Sequence, residues 1–302
     1  MDVKLHTQNF LDQLKLIPQK PIEEYTVAEW RESLAKSVEA FGAPMNPVHK
    51  VEDFVIPGAD GHNIPVRLYH PFEKPSDIWL YTHGGGWMKG SVQVYDTHMR
   101  EMCNHLGVAI LSVDYRLSPE HPFPCGHQDV FDAYVWMRQN MKYERYWLGG
   151  DSAGGNLTAG VTCRLVEDGL PLPEAYIGIY PPTDLRLRHD AYQRLGQDYL
   201  LTTESVRLYV DHYFGYQRAH AYNFLASPIL YPRLHQFPRT ILVTASHDPL
   251  YDEQIEFTDL LKQAGVSVST NIVEGVIHPY MLLSKVFPET YDVMDWLKEQ
   301  ML

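Results

Sequence analysis

With 302 residues, 45% hydrophobic and 21% charged, the chain is long enough for a sizeable core, and its composition excludes a disordered or fibrous class. A formal net charge of −13 and a pI near 5.5 exclude a phosphate-tracking surface, because nucleic-acid affinity needs clustered Lys and Arg that release counterions. Cys103, Cys125 and Cys163 lack any Cys-x-x-Cys spacing and read as reduced, buried thiols rather than a disulfide framework or zinc site.

The first sixteen residues, "MDVKLHTQNFLDQLKL", mix charges and amides into their apolar positions and so lack the unbroken apolar core of a secretory signal. No stretch approaches the roughly 18 to 20 apolar residues of a membrane span. The expectation is a soluble, cytoplasmic protein without a membrane partner. Thr26 followed by Glu29 is a capping-box pattern, and Val27, Trp30, Leu34, Val38 and Phe41 recur at helical spacing until Gly42 and Pro44 stop the run. From 51 to 70 the pattern alternates, with Ile64, Val66 and Leu68 on one side and the turn signal Asp60-Gly61 between two strands, which predicts a hairpin.

Short apolar runs then follow: "IWLYT", "VAILSV", "YWLGG", "AYIGIY", "TILVTA" and "VSVSTNIV". They alternate with helical stretches such as 128 to 141 and 250 to 264, which predicts a mainly parallel sheet buried on both faces, in the α/β class. The interval from about 184 to 235 breaks this rhythm, since "TTESVRLYVDHYFG" is helical and no strand run returns until Thr240. It reads as an insertion that forms a cap with the N-terminal segment. The organisation expected is therefore a helical cap segment over 1–45 and a main domain over 46–302.

Residues 146 to 160, "YWLGGDSAGGNLTAG", place Ser152 where a strand turns sharply into a helix. Gly150-Asp151-Ser152-Ala153-Gly154 is the Gly-x-Ser-x-Gly nucleophile elbow, whose glycines make room for a strained serine. "HGGGWMKGS", residues 83 to 91, directly follows a strand and offers backbone N–H groups for an oxyanion. Gly84 and Gly85 are assigned as donors with Ala153, and His83 as a brace for the loop. A phosphate-binding loop is excluded because Ser91 stands where its Lys belongs, and Lys89 replaces the third glycine of a dinucleotide fingerprint.

A serine hydroxyl needs a base, and the base needs an orienting acid. His278 follows the last strand pattern, and Asp248 ends "RTILVTASHD", giving the order Ser, acid, His. Asp252 is the reserve acid and lies, with Glu253, in the following helix, while His247 reads as a loop residue. No His-Glu-x-x-His or similar spacing implies a metal, and no cofactor is expected.

These stretches, with "DYRLSPEHPFP" (114–124), "YPPTDL" (180–185), "DPLYDE" (248–253) and "HPY" (278–280), resemble the hormone-sensitive-lipase-like branch of α/β-hydrolase esterases, especially bacterial acetyl esterases. The resemblance runs from about 77 to 300. It implies an α/β-hydrolase fold with a helical cap, the triad Ser152, Asp248 and His278, and an oxyanion hole from Gly84, Gly85 and Ala153. The chain departs from the family where His278-Pro279-Tyr280 replaces the frequent His-Gly-Phe and where Cys125 replaces Ala. The Asn156-Leu157-Thr158 sequon falls in the helix behind the nucleophile and reads as chance.

The function expected is a serine hydrolase that cleaves short-chain, acetyl-type carboxylic esters through an acyl-enzyme. Its partner is a small-molecule ester, and a homodimer is left open. An amidase or N-deacetylase would use the same groups on a poorer leaving group, whereas a non-catalytic binding protein on this fold would be marked by loss of the histidine. His278 is retained. Trp87, Asp151 and Tyr280 are the expected substrate-binding residues, two of them as rings bordering a short acyl pocket.

Overall fold

The structure, a computed structural model, describes residues 2–17 and 20–302. Helix α1 (Leu5–Lys15) precedes α2 (Val27–Phe41), where Glu29 N–H donates to Thr26 Oγ1 at 3.2 Å and Thr26 N–H donates to the Glu29 carboxylate at 2.7 Å. That reciprocal pair satisfies two otherwise orphaned donors and fixes where the helix starts. Strands β1 (Lys50–Pro57) and β2 (Asn63–His70) form the expected hairpin, pairing Ile56 with Ile64 and Pro57 with Asn63.

The rest alternates as the apolar runs predict: β3 (Asp77–Thr82), α3 (Asp96–Leu106), β4 (Ala109–Val113), α4 (Cys125–Asn140), β5 (Arg145–Asp151), α5 (Ala153–Glu167) and β6 (Ala175–Ile179). After the short α6 (Ala191–Arg194) and α7 (Thr203–Tyr213), the chain returns to β7 (Arg239–His247), α8 (Tyr251–Gln263), β8 (Val268–Ile277) and α9 (Glu289–Met301). His247 is thus the buried last residue of β7, not a loop residue, because the strand runs two residues beyond the apolar run that marks it.

The eight strands are ordered β1-β2-β4-β3-β5-β6-β7-β8, antiparallel at β1–β2 and β2–β4 and parallel elsewhere. Both faces are covered, so every residue of β3 is buried. Trp79 and Tyr81 pack towards α1, α3 and α9, while Ile78 and Leu80 pack towards α4 and α5. From β3 the chain crosses to β4 on one side and then to β5 on the other. Their carboxyl ends, with Thr82 beside Gly150, therefore form the topological switch point where an open α/β sheet offers a crevice.

The 184–235 interval is not uniform. Residues 197–209 border a cavity, but the stretch after Arg218 packs into the main core, with Ala221, Ala226, Ile229 and Tyr231 buried. Asn156 is the reason: fully buried, it donates to the carbonyls of Pro182 and Ala226 at 2.9 and 2.8 Å and so ties that stretch to α5. Cys103 and Cys163 are buried, whereas Cys125 is only half-buried because it opens α4. Among the described residues, no helix is long and apolar enough to cross a membrane.

Candidate active site

Strand β5 ends on Asp151 and α5 begins on Ala153, leaving Ser152 alone to make the turn at φ 50° and ψ −125°. Such a conformation is strained for a residue with a side chain and persists only where the surroundings enforce it. Here the enforcement comes from β3, because a Cβ at Gly150 or Gly154 would strike the Thr82 carbonyl oxygen. Only glycines let the turn press this closely on its neighbour. The serine hydroxyl is thereby presented at the carboxyl edge of the sheet, at the amino end of α5, where the helix field favours negative charge.

Two further strand ends converge on it. His278 follows β8 and accepts the Ser152 hydroxyl at Nε2, 2.8 Å away, while its Nδ1–H faces Asp248 Oδ2, also at 2.8 Å. Asp248 follows β7, is fully buried, and receives a backbone N–H from Leu250 on its other oxygen at 2.9 Å. Asp252 is spent elsewhere, holding Ala191 N–H and Arg194.

Gly84 is not an oxyanion donor, since its N–H donates to Asp151 Oδ1 at 2.9 Å and the residue does not border the cavity. Gly85, Gly86 and Ala153 do border it, and among the described residues none of their N–H groups donates to a protein acceptor. Gly85, at φ 119°, turns so tightly that a Cβ would meet Lys89. Gly86 is legible in the sequence as the third of the run; that the first glycine faces the carboxylate beside Ser152 is not.

Asp151 is not placed to bind substrate either. Both of its oxygens are engaged, Oδ1 by Gly84 N–H and the Tyr81 hydroxyl at 2.8 Å, Oδ2 by the Tyr95 hydroxyl at 2.9 Å, so the side chain braces the loop instead of reaching for substrate. Burial pushes its carboxyl above the usual range, against the pull of those donors. His83 supports the same loop from behind: its ring stacks on Tyr115 at 4.5 Å and Nδ1 lies 2.8 Å from the Gly84 carbonyl. Burial holds this imidazole below its ordinary pKa, so it donates to the carbonyl as a neutral ring.

Nor is Tyr280 a wall of the pocket. It does not border the cavity but is fully buried against Tyr180 and Phe287, because a short turn at Tyr280–Leu282 directs the chain inward straight after the base. Trp87 does border the cavity, yet it is also locked in place. It stacks on Tyr213 at 4.5 Å and donates Nε1–H to Asn156 Oδ1 at 3.2 Å. The Asn156 side chain is consumed by these three bonds, which accounts for its place in the elbow helix without any sequon.

Above Ser152 lies a cavity of about 1060 Å³, bordered by Leu11 and Leu14 of α1, Trp30 and Leu34 of α2, and Leu201 and Tyr209 of the later segment. The hydroxyl, the imidazole and the free N–H groups all open into it. That arrangement can deliver a serine oxygen to an acyl carbon and receive the charge that develops on its oxygen. Among the described residues, no group of three or more His, Cys, Asp and Glu side chains is placed to hold a metal ion.

Residues 79–282, more than half of the chain, match the family described as the alpha/beta hydrolase fold. The chain belongs to that family. This α/β-hydrolase is 29% identical over 285 residues to an ethyl acetate hydrolase of Pseudomonas putida, covering 91% of this chain and 88% of that relative. It is 32% identical over 261 residues to an arylesterase of Saccharolobus solfataricus, covering 83% and 81% of the two chains. Among solved structures, the hyperthermophilic esterase from the archaeon Pyrobaculum calidifontis superposes with a TM-score of 0.91 at 30% identity, covering 99% of this chain and 97% of the other. These matches place the α/β-hydrolase in the hormone-sensitive-lipase-like branch that its motifs resemble.

Proposed function

We propose that this α/β-hydrolase is a serine carboxylesterase that uses Ser152, His278 and Asp248 to cleave short-chain, acetyl-type esters. The observation that carries the reading is the unbroken pair of 2.8 Å contacts from Ser152 Oγ through His278 to the buried Asp248. Ser152 Oγ attacks the ester carbonyl carbon as its proton passes to His278 Nε2, and Asp248 stabilises the imidazolium through Nδ1–H. The carbonyl oxygen takes up negative charge among the N–H groups of Gly85, Gly86 and Ala153. Collapse expels the alcohol, which takes the proton from Nε2 and leaves an acyl-serine. Water then attacks that ester, giving its proton to the same nitrogen, and release of the acid restores the serine.

Esters are favoured over amides because the relatives include an ethyl acetate hydrolase and an arylesterase. A non-catalytic role on this fold is disfavoured by a base within hydrogen-bond reach of the serine. Residues 11–17, 20–41 and 197–209, which contribute side chains to the border of the cavity, serve as its cap. The acyl side is short because Trp87, fixed by Tyr213 and Asn156, cannot move aside for a longer chain. On p-nitrophenyl esters, kcat/KM should peak between acetate and butyrate and fall steeply by octanoate, and Ser152→Ala should lower kcat by roughly 10⁶-fold. A rate that climbs to octanoate refutes the short acyl site; an alanine variant retaining a few per cent of the activity refutes the nucleophile.

A further inference from the structure

Four lysines border the cavity: Lys15, Lys20, Lys36 and Lys89. Three are matched by carboxylates, Lys15 by Asp12 at 3.2 Å, Lys20 by Glu29 at 2.6 Å and Lys36 by Glu32 at 2.8 Å. Lys89 has no ion-pair partner among the described residues. Its Nζ donates to the Tyr209 hydroxyl at 2.8 Å and stands 4.4 Å from the Tyr209 ring centre and 5.2 Å from that of Trp30. A phenol and two ring faces hold the ammonium in place but leave its charge uncompensated.

The position of Lys89 is set by the oxyanion loop itself. Its backbone N–H donates to the Gly85 carbonyl at 2.9 Å, and the Tyr209 ring that it grips lies against Gly86. One phenol ring therefore spans the distance from the ammonium to the glycines that would receive the oxyanion. Beside it, Trp30 borders the cavity, and its Nε1–H is buried without a hydrogen-bond partner among the described residues. A bound acceptor that reached this donor would satisfy it. The remaining acids on the wall do not oppose this: Asp151 is engaged by three donors, while Asp198 and Glu204 are exposed at the rim.

We propose that Lys89 and Trp30 form a subsite for a carboxylate carried by the substrate, so that the preferred esters are monoanionic, such as half-esters of short dicarboxylic acids. This rests on the esterase reading above and names the substrate class for that site. An uncompensated cation inside a molecule of net charge −13 is the local feature that would admit such an anion. A charge-assisted hydrogen bond to it is strong enough for about tenfold discrimination.

The test compares kcat/KM for the monoethyl esters of malonic, succinic, glutaric and adipic acids with their uncharged isosteres ending in a methyl group, for the wild type, Lys89→Met and Lys89→Arg. The wild type should favour one length of half-ester over its isostere by about tenfold, and that ratio should shrink as salt is raised. Lys89→Met should collapse the ratio to one or below, and Lys89→Arg should retain most of it. If the neutral esters turn over while no half-ester is preferred, or if Lys89→Met leaves the ratio intact, the subsite is refuted and the esterase reading stands. If neither ester type turns over, the esterase reading falls and takes the subsite with it.

Discussion

At the scale of single residues, the carboxylate of Asp151 connects Ser152, the proposed nucleophile, to the glycine loop. It sits next to Ser152 in the chain and binds Gly84 N–H, while Tyr81 and Tyr95 fix its orientation from β3 and the start of α3. Asp151→Ala would leave a buried N–H and two hydroxyls without an acceptor and free the glycine loop. We expect kcat to fall about 10²-fold with little change in KM, and Asp151→Asn, which can still accept from Gly84, to restore most of it. Unchanged kcat in the alanine variant would show that the loop holds its shape alone. That Ser152, His278 and Asp248 meet was legible from order and strand-end placement, because side chains that converge above this sheet must leave at its carboxyl edge. Which glycine spends its N–H inside the protein, and that Tyr280 turns into the core, were not legible. Both depend on contacts between segments far apart in sequence.

At the scale of elements, the elbow depends on how closely β5 and α5 approach β3. Gly154 meets the Thr82 and His83 carbonyls, and these are backbone atoms that cannot rotate away. Gly154→Ala should therefore displace the elbow, lowering stability by about 1–3 kcal/mol and activity with it, as read by chemical denaturation and ester turnover. Wild-type values for both would mean that the contact carries no constraint. Glycine-rich motifs were readable for this reason: the backbone forbids any other residue there. The strands were readable from unbroken apolar runs, with ends misplaced by up to four residues, as at β8, which continues to Ile277 beyond "VSVSTNIV". Helix α1 was not recognised as a helix. It buries only Thr7, Phe10 and Leu11, too narrow a stripe to stand out among its amides and charges. The 184–235 interval read as one insertion because nothing in its own composition reveals that Asn156 draws the later part into the core.

At the scale of the whole molecule, buried titratable groups in separate layers set the pH range of stability. Burial lowers His98 to about 4 and His127 to about 3, from an ordinary value of 6.5. Below pH 6.5 the unfolded chain takes up protons that the folded chain refuses, so these two imidazoles weaken the fold as pH falls. Glu253 acts in the opposite sense. Burial raises it from 4.5 to about 8, so between those values the folded chain holds a proton that the unfolded chain releases, and stability declines as pH rises. From pH 6 to 8 the wild type should lose about 2 kcal/mol through this group. Glu253→Gln, whose carbonyl can still accept from Thr183 and Asp184, should lose little over the same range in urea titrations. An equal loss in both proteins would assign the decline to another group. We infer selective activation of one serine out of the whole chain by the sheet, the strained elbow and the convergent strand ends together. Its most direct test is peptide mapping by mass spectrometry after stoichiometric treatment with a dialkyl p-nitrophenyl phosphate. One dialkylphosphoryl group per chain is expected, on Ser152, with p-nitrophenol released and ester hydrolysis lost in proportion. Full activity without an adduct, or an adduct on a different residue that tracks the loss of activity, would contradict it.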